Sequence, residues 1–166
     1  MPRRQPSSAA ALTAVSTDTL LDLDNQFCFA LHSASRLVVR SYRPALEELD
    51  ITYSQYLVML VLWKWSRTRH PRPTVSELGS CLDLDSGTLT PLLRRLEQKG
   101  LLTRERSNDD ERELLVRLTS TGQAMKQRAR KVPLSLLQHS VMPLQEIMKL
   151  RDQLKQLRAV LSRRAA

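Results

Sequence analysis

Apolar residues recur in steps of three and four along most of this 166-residue chain, and one short stretch reads instead as paired strands. That pattern predicts a mainly α fold carrying a small β-hairpin. From Asp18, the positions Leu21, Phe27, Leu31, Ala34 and Val38 fall on one helical face, so a helix is expected to run to about Tyr42. Pro44 then opens a short helix, "RPALEELD", because proline suits a first helical position. Ser54 is the expected N-cap of the next helix. Its residues Tyr56, Leu57, Leu60, Val61 and Trp63 make it nearly all apolar and therefore central to a core. "RTRHPRP" breaks it, and Lys64, Arg67, Arg69 and Arg72 stand together there without an acid. Such a loop suits phosphate contact and plain solvation equally well.

The spacing between Thr74 and Leu118 is more specific. Thr74 is expected to cap "VSELGSCL", a four-residue turn "DLDS" follows, and "GTLTPLLRRLEQKG" then carries the stripe Leu89, Leu92, Leu93 and Leu96, with Gly100 as its stop. Two short helices joined by a tight turn form a helix-turn-helix, whose second helix lies in the DNA major groove. "LLTRERS" and "ELLVRLT" flank the polar turn "NDDE" and read as a hairpin, which completes a winged helix-turn-helix. Helix returns at Ser120, with Pro133 and Pro143 marking bends or boundaries. Ile147, Leu150, Leu154, Leu157 and Leu161 then form a seam of the kind that meets a twin. A homodimer with a helical dimerisation region is expected, and its two-fold symmetry matches a pseudo-palindromic operator.

Charge points to the same partner. The net charge of +9 favours a polyanion, because basic surface displaces the counterions of a phosphate backbone. With only two Trp, three Tyr and two Phe, the chain is poor in the stacking platforms that grip single strands, so double-stranded DNA is the expected partner. From Ser86 to Arg117 there are seven basic residues against six acids, so placement and not bulk field must carry binding there. Ser86, Thr88, Thr90, Arg94 and Arg95 fall on the polar side of the second helix, where hydroxyls and guanidinium groups reach phosphate and base edges, although Asp85 or Ser86 also suits the cap. No apolar run is long enough for a membrane span and the first residues carry no clean secretory signal, so no membrane partner and a cytoplasmic location are expected. Cys28 and Cys81 form neither a metal spacing nor a disulfide framework, and no cofactor or metal is expected. By residue type alone, Cys28 reads first as a small apolar filler and only second as a reactive thiol.

"LTRERSNDDERELLVRLTSTG" carries Asp110, Arg112, Leu118, Thr119 and Gly122 in the wing pattern of the MarR family. "LDNQFCFAL", "YRPALEELDITYSQYLVMLVLW" and "LDSGTLTPLLRRLEQKGLLTRERSNDDER" resemble the OhrR branch, the organic-hydroperoxide-sensing repressors, over about residues 20 to 160. The resemblance implies that Cys28 is the peroxide-reactive thiol. It further implies that Tyr42 and Tyr53, contributed across the dimer interface, hold its sulfur, as phenol hydroxyls do for a thiolate. Phe27 and Phe29 would add an apolar lining suited to alkyl or lipid hydroperoxides. His32, one turn beyond the cysteine, stands where many relatives have an aromatic residue, and at that spacing it suits either pairing with the thiolate or a polar surface. Arg112 is implied to enter the minor groove with Asp110 fixing its direction. No cysteine follows Cys81, which matches the one-cysteine type, and Cys81 itself reads as filler.

The organisation expected on these grounds is a tail over 1–17, dimerisation and sensor helices over 18–53, a winged helix-turn-helix over 54–119 and dimerisation helices over 120–166. The implied function is a repressor, not an enzyme, that an organic hydroperoxide releases from its operator by oxidising Cys28, after which a low-molecular-weight thiol condenses with the sulfenic acid. Two other classes compete with it. One is a MarR-type repressor released by reversible binding of a phenolic or drug-like ligand. The other is a thiol peroxidase, against which stand the lack of a resolving thiol and the presence of a full DNA-binding module.

Overall fold

The computed structural model describes residues 19, 21–71, 73–134 and 142–165. The expected tail over 1–17, the expected helix start at Asp18 and the basic-loop residue Arg72 lie outside them. The chain divides into two compact units, Met1–Arg40 and Ser41–Ala166.

In the first unit a single 3-10 turn, Leu23–Asn25, precedes α1, Phe27–Ser41. The expected unbroken helix is therefore interrupted at Gln26, whose backbone is extended. Short polar side chains explain the break, since they offer the backbone local alternatives to a helical ladder. Asp22 Oδ1 accepts from the Asp24 amide at 3.2 Å, and Asn25 Nδ2 donates to the Thr19 carbonyl at 3.1 Å. The consequence is that Cys28 lies in the first turn of a helix and not in the middle of one.

The second unit begins with α2, Arg43–Glu47, which has its proline in the first turn as expected. A tight loop leads into α3, Tyr53–Thr68. Its N-cap is Thr52, not Ser54: Thr52 Oγ1 accepts from the Gln55 amide at 3.3 Å, while Gln55 Oε1 accepts from the Thr52 amide at 2.9 Å. This reciprocal pair satisfies two amides where Ser54 could satisfy only one. Leu60 departs from the core expected of it and is 42% exposed, whereas Val58, Met59 and Leu62 are buried.

Thr74 caps α4, Val75–Leu82, as the spacing predicts, and α5 runs Ser86–Gln98. Strands β1, Leu102–Arg106, and β2, Leu114–Leu118, pair antiparallel with Leu102 opposite Leu118 and Arg106 opposite Leu114. The hairpin is pinned to the helices at its base, because the Val116 amide donates to the Pro73 carbonyl at 2.8 Å and Thr74 bridges Leu115. Then come α6, Ser120–Ala129, and α7, Leu144–Ala165. One apolar cluster joins these elements: Met59 and Leu62 of α3, Leu78 of α4, Leu89, Leu93 and Leu96 of α5, and Leu102 and Val116 of the wing. Each fully buried side chain of that size contributes about 1.5–3 kcal/mol, so α5 and the wing are held as one body.

The wing motif has a packing explanation. Thr119 Oγ1 accepts from the Gly122 amide at 3.0 Å, capping α6, and its hydroxyl donates to the Gly100 carbonyl at 2.6 Å. The Gly122 carbonyl accepts from the Trp63 indole at 2.9 Å, which ties α6 to α3. Among the described residues, no helix is long and apolar enough to cross a membrane.

Candidate functional site

At the start of α5, Asp85 is the cap: its carboxylate accepts from the Thr88 amide at 2.8 Å and from the Thr88 hydroxyl at 3.0 Å. Those two bonds hold the Asp85 carboxyl below the usual carboxylate range, the backbone bond weighing most. Thr88 is thus drawn into the cap, and its hydroxyl proton is committed to Asp85. Ser86, Thr90, Arg94 and Arg95 are exposed, while Leu89, Leu93 and Leu96 of the same helix are buried. The helix therefore presents an exposed polar face over an apolar anchor.

At the wing tip Arg112 is exposed, and Asp110 Oδ1 accepts from the Arg112 backbone amide at 2.9 Å. Asp110 thus braces the turn that carries Arg112 through the Arg112 backbone amide. Two more bonds close the tip: the Arg106 guanidinium donates to the Glu111 carbonyl at 2.7 Å, and the Ser107 amide donates to the Glu113 carbonyl at 2.9 Å. A groove of about 560 Å³ lies between α4, the start of α5 and the wing, with Ser76, Ser80, Ser86 and Arg112 among its lining. The angle of wing to helix is fixed by Glu97 of α5, which accepts from the Arg104 amide at 3.0 Å and from its guanidinium at 2.6 Å. That guanidinium holds the Glu97 carboxyl below its ordinary value.

In the first unit Cys28 is exposed between the chain's two phenylalanines, with Phe27 64% and Phe29 41% exposed. It occupies the first turn of α1, where a helix's partial positive charge favours an anion. The thiol donates to Gln26 Oε1 at 3.7 Å. His32 is exposed one turn further on, and the polar partner the sulfur has taken is Gln26 on its other side.

In the second unit the three tyrosines of the chain form one cluster. Ring centroids are 5.6 Å apart for Tyr42 and Tyr53, and 6.5 Å for Tyr56 to each of them. Burial raises the pKa of Tyr42 and of Tyr53, and Tyr53 beside it raises that of Tyr42 further. Tyr56 is pushed up to about 12, chiefly by burial and then by its two neighbours. All three phenols stay protonated well above neutral pH, so they are hydrogen-bond donors, the form an anionic partner requires.

Residues 40–129 match the family model described as transcriptional regulator SarA/Rot. The organic hydroperoxide resistance transcriptional regulator of Bacillus subtilis (strain 168) is 47% identical over 117 residues, 70% of this chain and 76% of that one. The chain belongs to the MarR/SarA family of transcriptional regulators. Similarity to another member, the HTH-type transcriptional regulator TtmR of Methylorubrum extorquens (strain PA1), is 40% over 98% of this chain and 83% of the relative. The solved structure of reduced AbfR bound to DNA superposes with a TM-score of 0.70 at 36% identity, covering 88% of this chain and 99% of that one. The winged-helix fold and the OhrR-like resemblance are thereby shown. The regulator is not an enzyme, since its relatives are transcriptional regulators.

Within this regulator, sequence reasoning missed Tyr56 as a neighbour of Tyr42 and Tyr53. Its i, i+3 spacing from Tyr53 in "YSQY" was the available signal, because that spacing puts two rings on one helix face. It also missed the Glu97–Arg104 pair, whose partners are seven residues apart in different elements. The structure gathers Tyr42 with Tyr53, and Asp110 with Arg112. It draws Thr88 towards Asp85 and leaves Cys81 exposed on α4.

Proposed function

We propose that this chain is a redox-responsive repressor that binds a pseudo-palindromic operator in double-stranded DNA as a homodimer and leaves it when an organic hydroperoxide oxidises Cys28. The observation that carries the reading is the exposed Cys28 thiol at the first turn of α1, between two exposed phenylalanines, in a chain 47% identical to an organic hydroperoxide resistance regulator. In the proposed dimer, the phenols of Tyr42 and Tyr53 from one protomer donate to the sulfur of the other, and Phe27 and Phe29 receive the alkyl part of the peroxide. The Cys28 sulfur attacks the terminal peroxide oxygen and the O–O bond breaks. An alcohol leaves and the sulfur becomes a sulfenic acid, which a low-molecular-weight thiol converts to a mixed disulfide with loss of water.

On DNA, the exposed face of α5 with Ser86, Thr90, Arg94 and Arg95 enters the major groove, and Arg112 at the wing tip enters the minor groove. Half-sites about 34 Å apart must be matched by two rigid heads, so a small rotation between protomers is enough to lose affinity. Cys28→Ser is expected to bind the operator like wild type in a mobility-shift assay and to stay bound at a cumene hydroperoxide concentration that releases wild type. Release of the serine variant at the same concentration removes Cys28 from the mechanism.

A further inference from the structure

Resting on the redox reading above, we propose that Lys99 is the positioning residue that couples the tyrosine cluster to the DNA-reading helix. Tyr42 stands immediately before α2 and Tyr53 is the first residue of α3, so the loop over 48–52 sets how the two phenols meet. The loop is anchored from within by buried Leu49 and Ile51 and by the Ile51 amide, which donates to the Leu46 carbonyl at 3.2 Å. Its apex is Asp50 at φ 54°, the left-handed residue of the helix-ending turn that the Ile51 amide closes on the Leu46 carbonyl.

Two cations from elsewhere in the fold tie this turn to the rest of the unit. The Lys99 ammonium donates to the Asp50 carbonyl and to its carboxylate, the latter at 2.5 Å. The Arg128 guanidinium of α6 donates to the Glu48 carbonyl. Lys99 is also the C-cap of α5, its amide donating to the Arg95 carbonyl at 3.2 Å. One side chain thus joins the last turn of the reading helix to the apex of the tyrosine-bearing loop, 49 residues away in sequence. The Asp50 carboxylate is 89% exposed and its ion pair is screened by water and salt, whereas the bond to the carbonyl depends on the loop's own backbone. A loop displaced by an adduct beside Tyr42 and Tyr53 pulls on Lys99 through that carbonyl and shifts the end of α5. The Lys99 ammonium is taken up by Asp50 and is not among the groups assigned to DNA contact, so its role is separable from binding itself.

The test compares reduced and peroxide-treated protein on a duplex enriched from a random-sequence library by reduced wild type. Lys99→Met is expected to bind this duplex within about threefold of wild type when reduced, since it keeps the reading face intact. Its Cys28 should gain oxygen at the wild-type rate by intact-mass analysis. The loss of affinity on oxidation is expected to shrink at least tenfold relative to wild type, and Lys99→Arg, which keeps the donors, should restore it. Lys99→Leu, which carries no donor, should behave as the methionine variant does and serves in its place if methionine impairs folding. A Lys99→Met or Lys99→Leu protein that is folded and released by oxidant as fully as wild type overturns the coupling role alone. Wild type that keeps its affinity after oxidation overturns the redox reading and the coupling with it.

Discussion

Gly122 shows how one residue can be required by packing where its motif alone gives no reason. A Cβ built on it would stand 1.9 Å from the Leu101 carbonyl oxygen and 2.9 Å from the carbonyl carbon. Both are backbone atoms at the base of the wing, and a backbone cannot swing aside as a side chain does. Gly122→Ala must therefore lift α6 from the wing, and it is expected to cost about 3 kcal/mol, the upper range of overpacking, read as a lowered urea midpoint. Gly87→Ala is the control: its Cβ would meet only the Asp85 side-chain oxygen at 3.0 Å, and a change within about 1 kcal/mol is expected. Equal losses in both variants would remove the packing argument. Tyr56 makes the complementary point about the limits of sequence. Its apolar neighbours mark it as core, and it is buried, yet its contact with Tyr42 depends on the loop that folds α2 against α3. Helical periodicity places a residue on a face but says nothing of what a neighbouring element brings to that face.

At the scale of elements, sequence served best where the signal was local and worst where two local signals competed. Thr74 caps α4 and the wing strands fall inside the two expected arms, because a cap and an alternating run each carry their information within a few residues. At Thr52 and Ser54 two residues of similar capping quality stood close together, and the reciprocal bond from Gln55 decided between them. The setting of the wing against α5 was not legible at all, since it rests on Glu97 and Arg104 meeting across a turn. That pair makes a pH prediction. The Glu97 carboxyl has its folded pKa lowered, so the stability it supplies is present above the ordinary value of 4.5 and is lost as pH falls through the lowered one. With a third of the Glu97 side chain in solvent, the effect is expected to be modest. The urea midpoints of wild type and Glu97→Gln should differ at pH 6 and converge towards pH 3. A gap that is unchanged across that range would show that the carboxylate charge is not what Arg104 recognises.

For the whole molecule, the apolar surface not covered by the chain's own core is the argument for a second copy. In the first unit Phe27, Leu31, Leu37 and Val38 of α1 are exposed, and in the second unit Leu150, Leu154 and Leu161 of α7 are exposed along its length. Apolar positions left open in this way on each helix mark an interface, and a seam in steps of three and four along α7 is the kind a like helix fits. Symmetry sets the magnitude, because each seam residue of a two-fold interface is buried twice. Leu150 and Leu154 leave 45% and 37% of their surface for a partner to cover, so at about 1.5–3 kcal/mol per whole leucine, Leu150→Glu combined with Leu154→Glu removes about 2.5–5 kcal/mol over both protomers and raises the dimer dissociation constant by at least about 50-fold. Sedimentation velocity at micromolar concentration is then expected to give a dimer for wild type and a monomer for the double variant. The variant's heads, whose core lies in α3, α4, α5 and the wing, should keep their far-ultraviolet dichroism. Its affinity for a duplex with two half-sites should fall to that for one half-site, because the linkage that aligns two reading helices is gone. A double variant that sediments as a dimer would place the two-fold contact on surfaces other than the α7 seam.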